Sequence, residues 1–236
     1  VVRMFLNITG SPAGVESIMI EPANGSSIYN SSGTAMNAAS GVPAALNDNN
    51  GPYITGTTMP TPNATVAVTF SEAAYNTNGG SGALEASDFA LSISGGAATL
   101  SSATPTSISI SSNTYTLGIG LSGTPNGRER VTVRPAANAI YDGSGNAAGT
   151  NQNNNTAFLY DKQLPVITAT SLGSYNIDVT VTFNEIVFAN NNRTGAITVS
   201  DLDLSISGGT ATLSSATPTS ISGSNGPEFP MQVVQP

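Results

Sequence analysis

Along most of this chain, apolar and polar residues alternate in short runs. ATVAVTF (64–70), FALSIS (89–94), SISISS (107–112), YTLGIGL (115–121) and RVTVRP (130–135) each place an apolar or β-branched side chain at nearly every second position, bounded by Gly, Pro, Asn or Ser. A period of two predicts half-buried strands, and the flanking residues are turn formers. No segment carries a helical period. About seven short strands in about 110 residues predict an all-β unit in which two sheets pack face to face.

The spacing places strand A near 52–57, B at 64–70, C at 87–94, D near 97–101 and G at 156–160. Two readings remain for the middle of the unit. In one, 107–112 is E and F runs from 115–121 through 130–135. In the other, which is preferred, 115–121 is E and 130–135 is F, because GTPNG (123–127) between them is strong turn chemistry.

The pattern repeats. LSISGGAATLSSATPTSIS (91–109) recurs as LSISGGTATLSSATPTSIS (204–222), and the same offset sets Asp48 on Asp161, VAVTFSEA (66–73) on VTVTFNEI (179–186), and GSPAG (10–14) on GTPNG (123–127). With a one-residue slip, SIYNSSGTA (27–35) matches AIYDGSGNA (139–147). The repeating unit is therefore about 113 residues long. Residues 1–47 read as the C-terminal part of one repeat, 48–160 as a complete repeat, and 161–236 as the N-terminal part of the next. The chain is expected to be a window from a longer tandem array of immunoglobulin-like sandwiches, each touching only its neighbours.

Composition adds constraints. Only 8% of residues are charged, with six Lys or Arg against 14 Asp or Glu and a net charge of −8. That balance opposes nucleic-acid binding, which needs clustered cations. No apolar run is long enough for a transmembrane helix. There is no Cys, which leaves the redox compartment open, and six Asn-x-Ser/Thr triplets (Asn7, Asn24, Asn30, Asn63, Asn154, Asn192) are what an Asn-, Ser- and Thr-rich chain produces by chance. With no His and no Cys, serine and cysteine triads are excluded, and the recurrence of the acidic residues with the repeat opposes a glycosidase-type pair. No enzyme activity is expected.

VTFSEA, SDFALSISGG, IYDGSGNAAG and the boundary DKQLPVI resemble the recurring segments of bacterial immunoglobulin-like repeats in giant secreted surface proteins. The resemblance spans essentially the whole chain. It implies an extracellular, cell-surface stalk or filament in a large adhesin, serving display, adhesion or gliding, with neighbouring repeats as partners and surface glycans or secretion and motility machinery as further ones. The SISGGTATLSSATPTSIS flavour is similar to adhesins of gliding bacteria exported by the type IX secretion system.

Strand order gives the candidate chemistry. Asp48 lies in the entering linker, Glu72 follows strand B, Asp88 opens strand C and Asp142 sits in the F–G turn, so all four are expected at one pole of the sandwich. Asp161, Glu185 and Asp201 repeat the first three. Crowded carboxylates repel unless a cation or proton intervenes, and Ca²⁺ accepts six to eight oxygens. A junctional Ca²⁺ held by these seven residues is one expectation; carboxylates that simply accept loop N–H groups are the other. At position 30 the motif Asp is replaced by Asn, which weakens a metal site there.

Two further functions compete with the stalk. A carbohydrate- or ligand-binding accessory module would use Tyr75, Tyr115, Tyr141, Tyr160 and Tyr175 for stacking, although such tyrosines more often fill cores. A strand-complemented polymer would pair residues 1–47 of one copy with 161–236 of another. The sequence around Glu129, flanked by Arg128 and Arg130, reads as a solvated hairpin end.

Overall fold

Where alternation is regular, strands form. The computed structural model describes residues 1–39, 41–223 and 228–232, the last of these as backbone only. In chain order the strands are β1 Ser17–Ile20, β2 Val42–Ala45, β3 Ile54–Thr58, β4 Thr65–Phe70, β5 Phe89–Ser94, β6 Thr99–Leu100, β7 Ile108–Ser111, β8 Thr114–Gly118, β9 Leu121–Ser122, β10 Arg130–Pro135 and β11 Thr156–Phe158. They continue with β12 Ile167–Leu172, β13 Asp178–Phe183, β14 Ser220–Ile221 and β15 Glu228–Gln232. All ladders are antiparallel, and the only helical pieces among the described residues are single 3₁₀ turns at Ala86–Asp88 and Val199–Asp201.

The chain divides into two compact units, Val1–Lys162 and Gln163–Pro236. In the first, β3-β4-β8-β7 form a four-stranded sheet and β11-β10-β5 a three-stranded one, with a small β6-β9 ladder beside them. Side chains from both larger sheets share one core. Ile54, Val66, Val68, Phe70, Tyr115 and Leu117 from the first meet Phe89, Leu91, Val131 and Val133 from the second, all buried. This all-β arrangement is consistent with a β-sandwich. Phe70, Phe89 and Tyr115 form its aromatic centre, with ring centroids 5.6–6.3 Å apart.

The YTLGIGL run, which reads as one strand, is split. β8 ends at Gly118; Ile119 then donates its N–H to Ala64 O at 2.9 Å, Gly120 O accepts Ser101 N–H at 2.9 Å, and β9 pairs with β6. Strand β7 is the hairpin partner of β8, so the preferred reading, with 115–121 and 130–135 on separate strands, matches the ladders.

Repetition extends to geometry. β1 pairs β2 with Ser17 opposite Ala45, and one repeat later β10 pairs β11 with Arg130 opposite Phe158. A register shift at Ile54/Gly56 between β3 and β4 recurs at Ile167/Ala169 between β12 and β13. In the second unit the order β12-β13-β15-β14 repeats β3-β4-β8-β7. There the counterpart of β5, residues 202–207, is not paired into a sheet, yet Leu204 N–H still reaches Ala216 O at 2.7 Å, as Leu91 N–H reaches Ala103 O.

Candidate functional site

Asp48 stands where the residues after β2 leave one repeat and enter the next. Leu46 N–H donates to Glu16 O at 2.8 Å and Asn49 N–H to Pro12 O at 2.9 Å, so the linker is strapped across the GSPAG turn. Gly14 in that turn has φ +72°, and a Cβ there would lie 3.1 Å from the Asp48 Cβ; glycine meets both demands. The same strap recurs at the next boundary, where Lys162 N–H donates to Pro125 O at 2.8 Å.

Glu72 follows β4, and Ser71 N–H holds that strand end to Tyr53 O at 2.8 Å. Asp142 is fully buried in the turn between β10 and β11. Its Oδ1 accepts the N–H groups of Ser144 at 2.8 Å and Asn146 at 2.7 Å, and its Oδ2 accepts Asn146 Nδ2 at 2.7 Å. Asn146 Nδ2 also donates to Asp48 O at 3.1 Å, which links the turn to the linker. Asp48 Oδ1 accepts Asn50 N–H at 2.9 Å.

These elements bring Asp48, Glu72 and Asp142 together, with one carboxylate oxygen from each lying within 4.8 Å of the others. Desolvation raises the pKa of Glu72; the charges of Asp142 and then Asp48 raise it further, against a lowering contribution from the Ser71 hydroxyl. A cation would relieve that repulsion. The donors are all oxygens, as Ca²⁺ prefers, and Glu72 brings the least engaged carboxylate to the group.

Asp88 does not join the other three. Its Oδ2 accepts Glu85 N–H at 2.7 Å and closes the 3₁₀ turn before β5. Asp201 does the same in the second unit, accepting Thr198 N–H at 2.8 Å and Thr198 Oγ1 at 2.9 Å; those bonds lower its pKa. Asp161 packs its Cβ toward Gly127 as Asp48 does toward Gly14, and Glu185 is half-buried just after β13.

Glu129 corrects the reading of a solvated hairpin end. It is fully buried; Oε1 accepts Ala97 N–H at 2.7 Å and Ala98 N–H at 3.0 Å, and Oε2 accepts Asn126 N–H at 3.0 Å. Desolvation pushes its pKa up, but the N–H groups of Ala98, Glu129 itself, Ala97 and Asn126 outweigh that and hold it below the usual carboxylate range. Gly95 and Gly96, both with positive φ, turn those N–H groups inward, and a Cβ on Gly96 would collide with the carboxylate. The available signal was recurrence: Glu16 holds the equivalent position one repeat earlier and accepts Ala13 N–H at 2.9 Å, as Glu129 accepts Asn126 N–H.

The four candidate tyrosines of the first unit do not line one face. Tyr115 is in the core with its hydroxyl donating to Ala74 O at 3.2 Å, Tyr75 and Tyr141 are joined through their backbones, and Tyr160 and Tyr175 are exposed. Asn63, one of the six Asn-x-Ser/Thr positions, is buried and clamps Tyr160 through both amide atoms, at 2.8 and 2.7 Å.

Among the described residues, no helix is long and apolar enough to cross a membrane. Comparison with known proteins gives no match: no family model, no curated protein and no solved structure aligns with the chain.

Proposed function

We propose that this chain is a segment of an extracellular tandem array of immunoglobulin-like modules, the stalk of a large bacterial surface adhesin, and that its role is mechanical and non-catalytic. The observation that carries the reading is the repeated joint. Two hairpins of identical register, β1–β2 and β10–β11, are each followed by a linker fastened to the same Pro-containing turn. The order β3-β4-β8-β7 facing β11-β10-β5 supports it by matching the A-B-E-D and G-F-C order of a constant-type immunoglobulin sandwich, with β7 in the place of D; residues 97–101, where D was expected, instead give β6, which pairs β9. A joint that recurs in detail lets an array grow by duplication while each module buries its own core.

Scattering tests it. Chains carrying one, two and four copies of residues 48–160 should show a maximum dimension that grows in proportion to copy number. Collapse to a compact shape would overturn the stalk reading, and a mass that rises with concentration would favour strand exchange, which the shared hairpin register equally permits.

The carboxylate trio supports a second element of the reading, a Ca²⁺ ion at the joint. In the preceding repeat Asn30 closes the same turn, its Oδ1 accepting Ser32 N–H at 3.0 Å and Thr34 N–H at 2.9 Å. The turn therefore needs no charge, and the charge of Asp142 is spare for a cation. Ca²⁺ is expected to raise the melting temperature of the wild-type chain. Glu72→Gln should do so without Ca²⁺ and should abolish the response to it. No heat of binding and no thermal shift on titrating the wild type would remove the metal.

A further inference from the structure

On strand β10, burial alternates without a break: Val131, Val133 and Pro135 point into the core, whereas Arg130 and Arg134 are exposed on the opposite face with Thr132 half-buried between them. The two arginines line a polar groove of about 240 Å³ together with Ser94, Thr132, Asn151 and Thr156. Arg130 is held in place, with Nη2 donating to Thr156 Oγ1 at 2.8 Å and the guanidinium 5.8 Å from the centre of the Phe158 ring. The Arg134 side chain makes no hydrogen bond or ion pair among the described residues, so its donors face the groove unspent.

Two facts set this groove apart from scaffold. The whole chain has six cationic side chains, and three of them, Arg128, Arg130 and Arg134, fall within seven residues. The β10–β11 pairing does not require them, because one repeat earlier, on β1, which pairs β2 in the same register, and just after it, Ser17 and Glu21 occupy the positions of Arg130 and Arg134. The hairpin forms with either set. The arginine pair belongs to this copy.

We propose that this groove binds an acidic polysaccharide, its arginines pairing with carboxylate or sulfate groups and its hydroxyl and amide side chains with sugar hydroxyls. Alternate outward positions four residues apart on a strand are separated by about 13 Å, a span that suits anionic groups recurring along an extended polymer. An acidic peptide is the poorer fit. β10 is paired on both sides, by β5 and β11, so its backbone has no groups left for strand addition and recognition must come from side chains. Guanidinium groups give bidentate, directional pairing with carboxylate and sulfate alike.

The inference rests on the extracellular reading for its choice of ligand, yet it fails separately, since the Arg130 side chain bonds Thr156 and not the linker, and neither arginine belongs to the carboxylate trio. The 236-residue chain is titrated calorimetrically at 150 mM NaCl with polygalacturonate, dextran sulfate, neutral dextran and poly-glutamate. One of the two polyanionic glycans should bind, which identifies carboxylate or sulfate as the group recognised, and neutral dextran should not. Arg130→Gln/Arg134→Gln should weaken binding at least tenfold with the melting temperature unchanged. Arg134→Gln alone, which leaves the Phe158 contact intact, should weaken it by a smaller factor in the same direction. No binding of either glycan at that salt, equal binding of poly-glutamate, or binding undiminished in both variants would overturn the proposal.

Discussion

Glu129 carries a full negative charge into the interior and, among the described residues, is held there by backbone N–H groups alone. Hydrogen bonds to a charged acceptor contribute about 1.5–3 kcal/mol each, and a buried donor left unmatched costs a similar amount. Glu129→Gln keeps the shape but turns an amide NH₂ toward N–H groups that are themselves donors. The expected loss is about 2–4 kcal/mol, or a fall in melting temperature of about 10 °C or more. The pH dependence has a definite sign. Because the folded pKa of Glu129 is depressed, its contribution is present above the ordinary carboxylate range and is lost as pH falls through the folded value. Glu72, with a raised pKa, acts in the opposite sense: its contribution is present at acid pH and is lost as pH rises through its raised value. The gap between wild type and Glu129→Gln should therefore be widest near neutrality and close in acid, as read by thermal melts across pH. A gap independent of pH would mean that the side chain acts through shape and not through charge.

At the scale of elements, the recurring SISGG stretch gains a reason. Its two glycines adopt positive φ in both copies, and in the complete repeat they aim the next two N–H groups at Glu129. Alternation in the sequence located β4, β5, β7 and β10 within about two residues, because in these strands the period of side chains and the period of burial coincide. It did not reveal the break between β8 and β9. YTLGIGL alternates straight through, and only the hydrogen bonds at Ile119 and Gly120 move the backbone from one ladder to another. The site was legible to the same degree. Asp48 and Glu72 follow strand ends and Asp142 lies in the β10–β11 connection; strand order alone predicts that they meet at one pole. Asp88 lies at another such end, but its own 3₁₀ turn satisfies it first. Glu129 was hidden for the converse reason: its neighbours Arg128 and Arg130 are exposed or nearly so, while the N–H groups of Ala97 and Ala98 that receive it lie far away in sequence.

For the whole molecule, burial is unevenly shared. Among the described residues, the buried apolar side chains run from Pro52 to Leu159, with only Pro22, Val181, Val187 and Pro218 outside that range. Residues 1–47 contribute a two-stranded ladder whose side chains are almost all exposed, from Met19 and Ile20 on β1 to Val42 on β2. In the second unit β12 is exposed along its length. Local opening free energy follows buried apolar contact, so the described residues outside 48–160 should open far more often than those within. Hydrogen bonds alone do not reverse this, since each contributes only about 0.5–1.5 kcal/mol net. Brief digestion with a protease of broad specificity should therefore leave a resistant fragment of about one repeat, bounded near Asp48 and Lys162, identifiable by mass. The strap from Asn49 N–H to Pro12 O gives the N-terminal boundary a second readout. If Ca²⁺ occupies the joint, adding it should slow cleavage between Glu16 and Asp48 while leaving the rate after Lys162 unchanged. Survival of residues 163–236 as long as 48–160 would show instead that the second unit draws its stability from something other than a buried core.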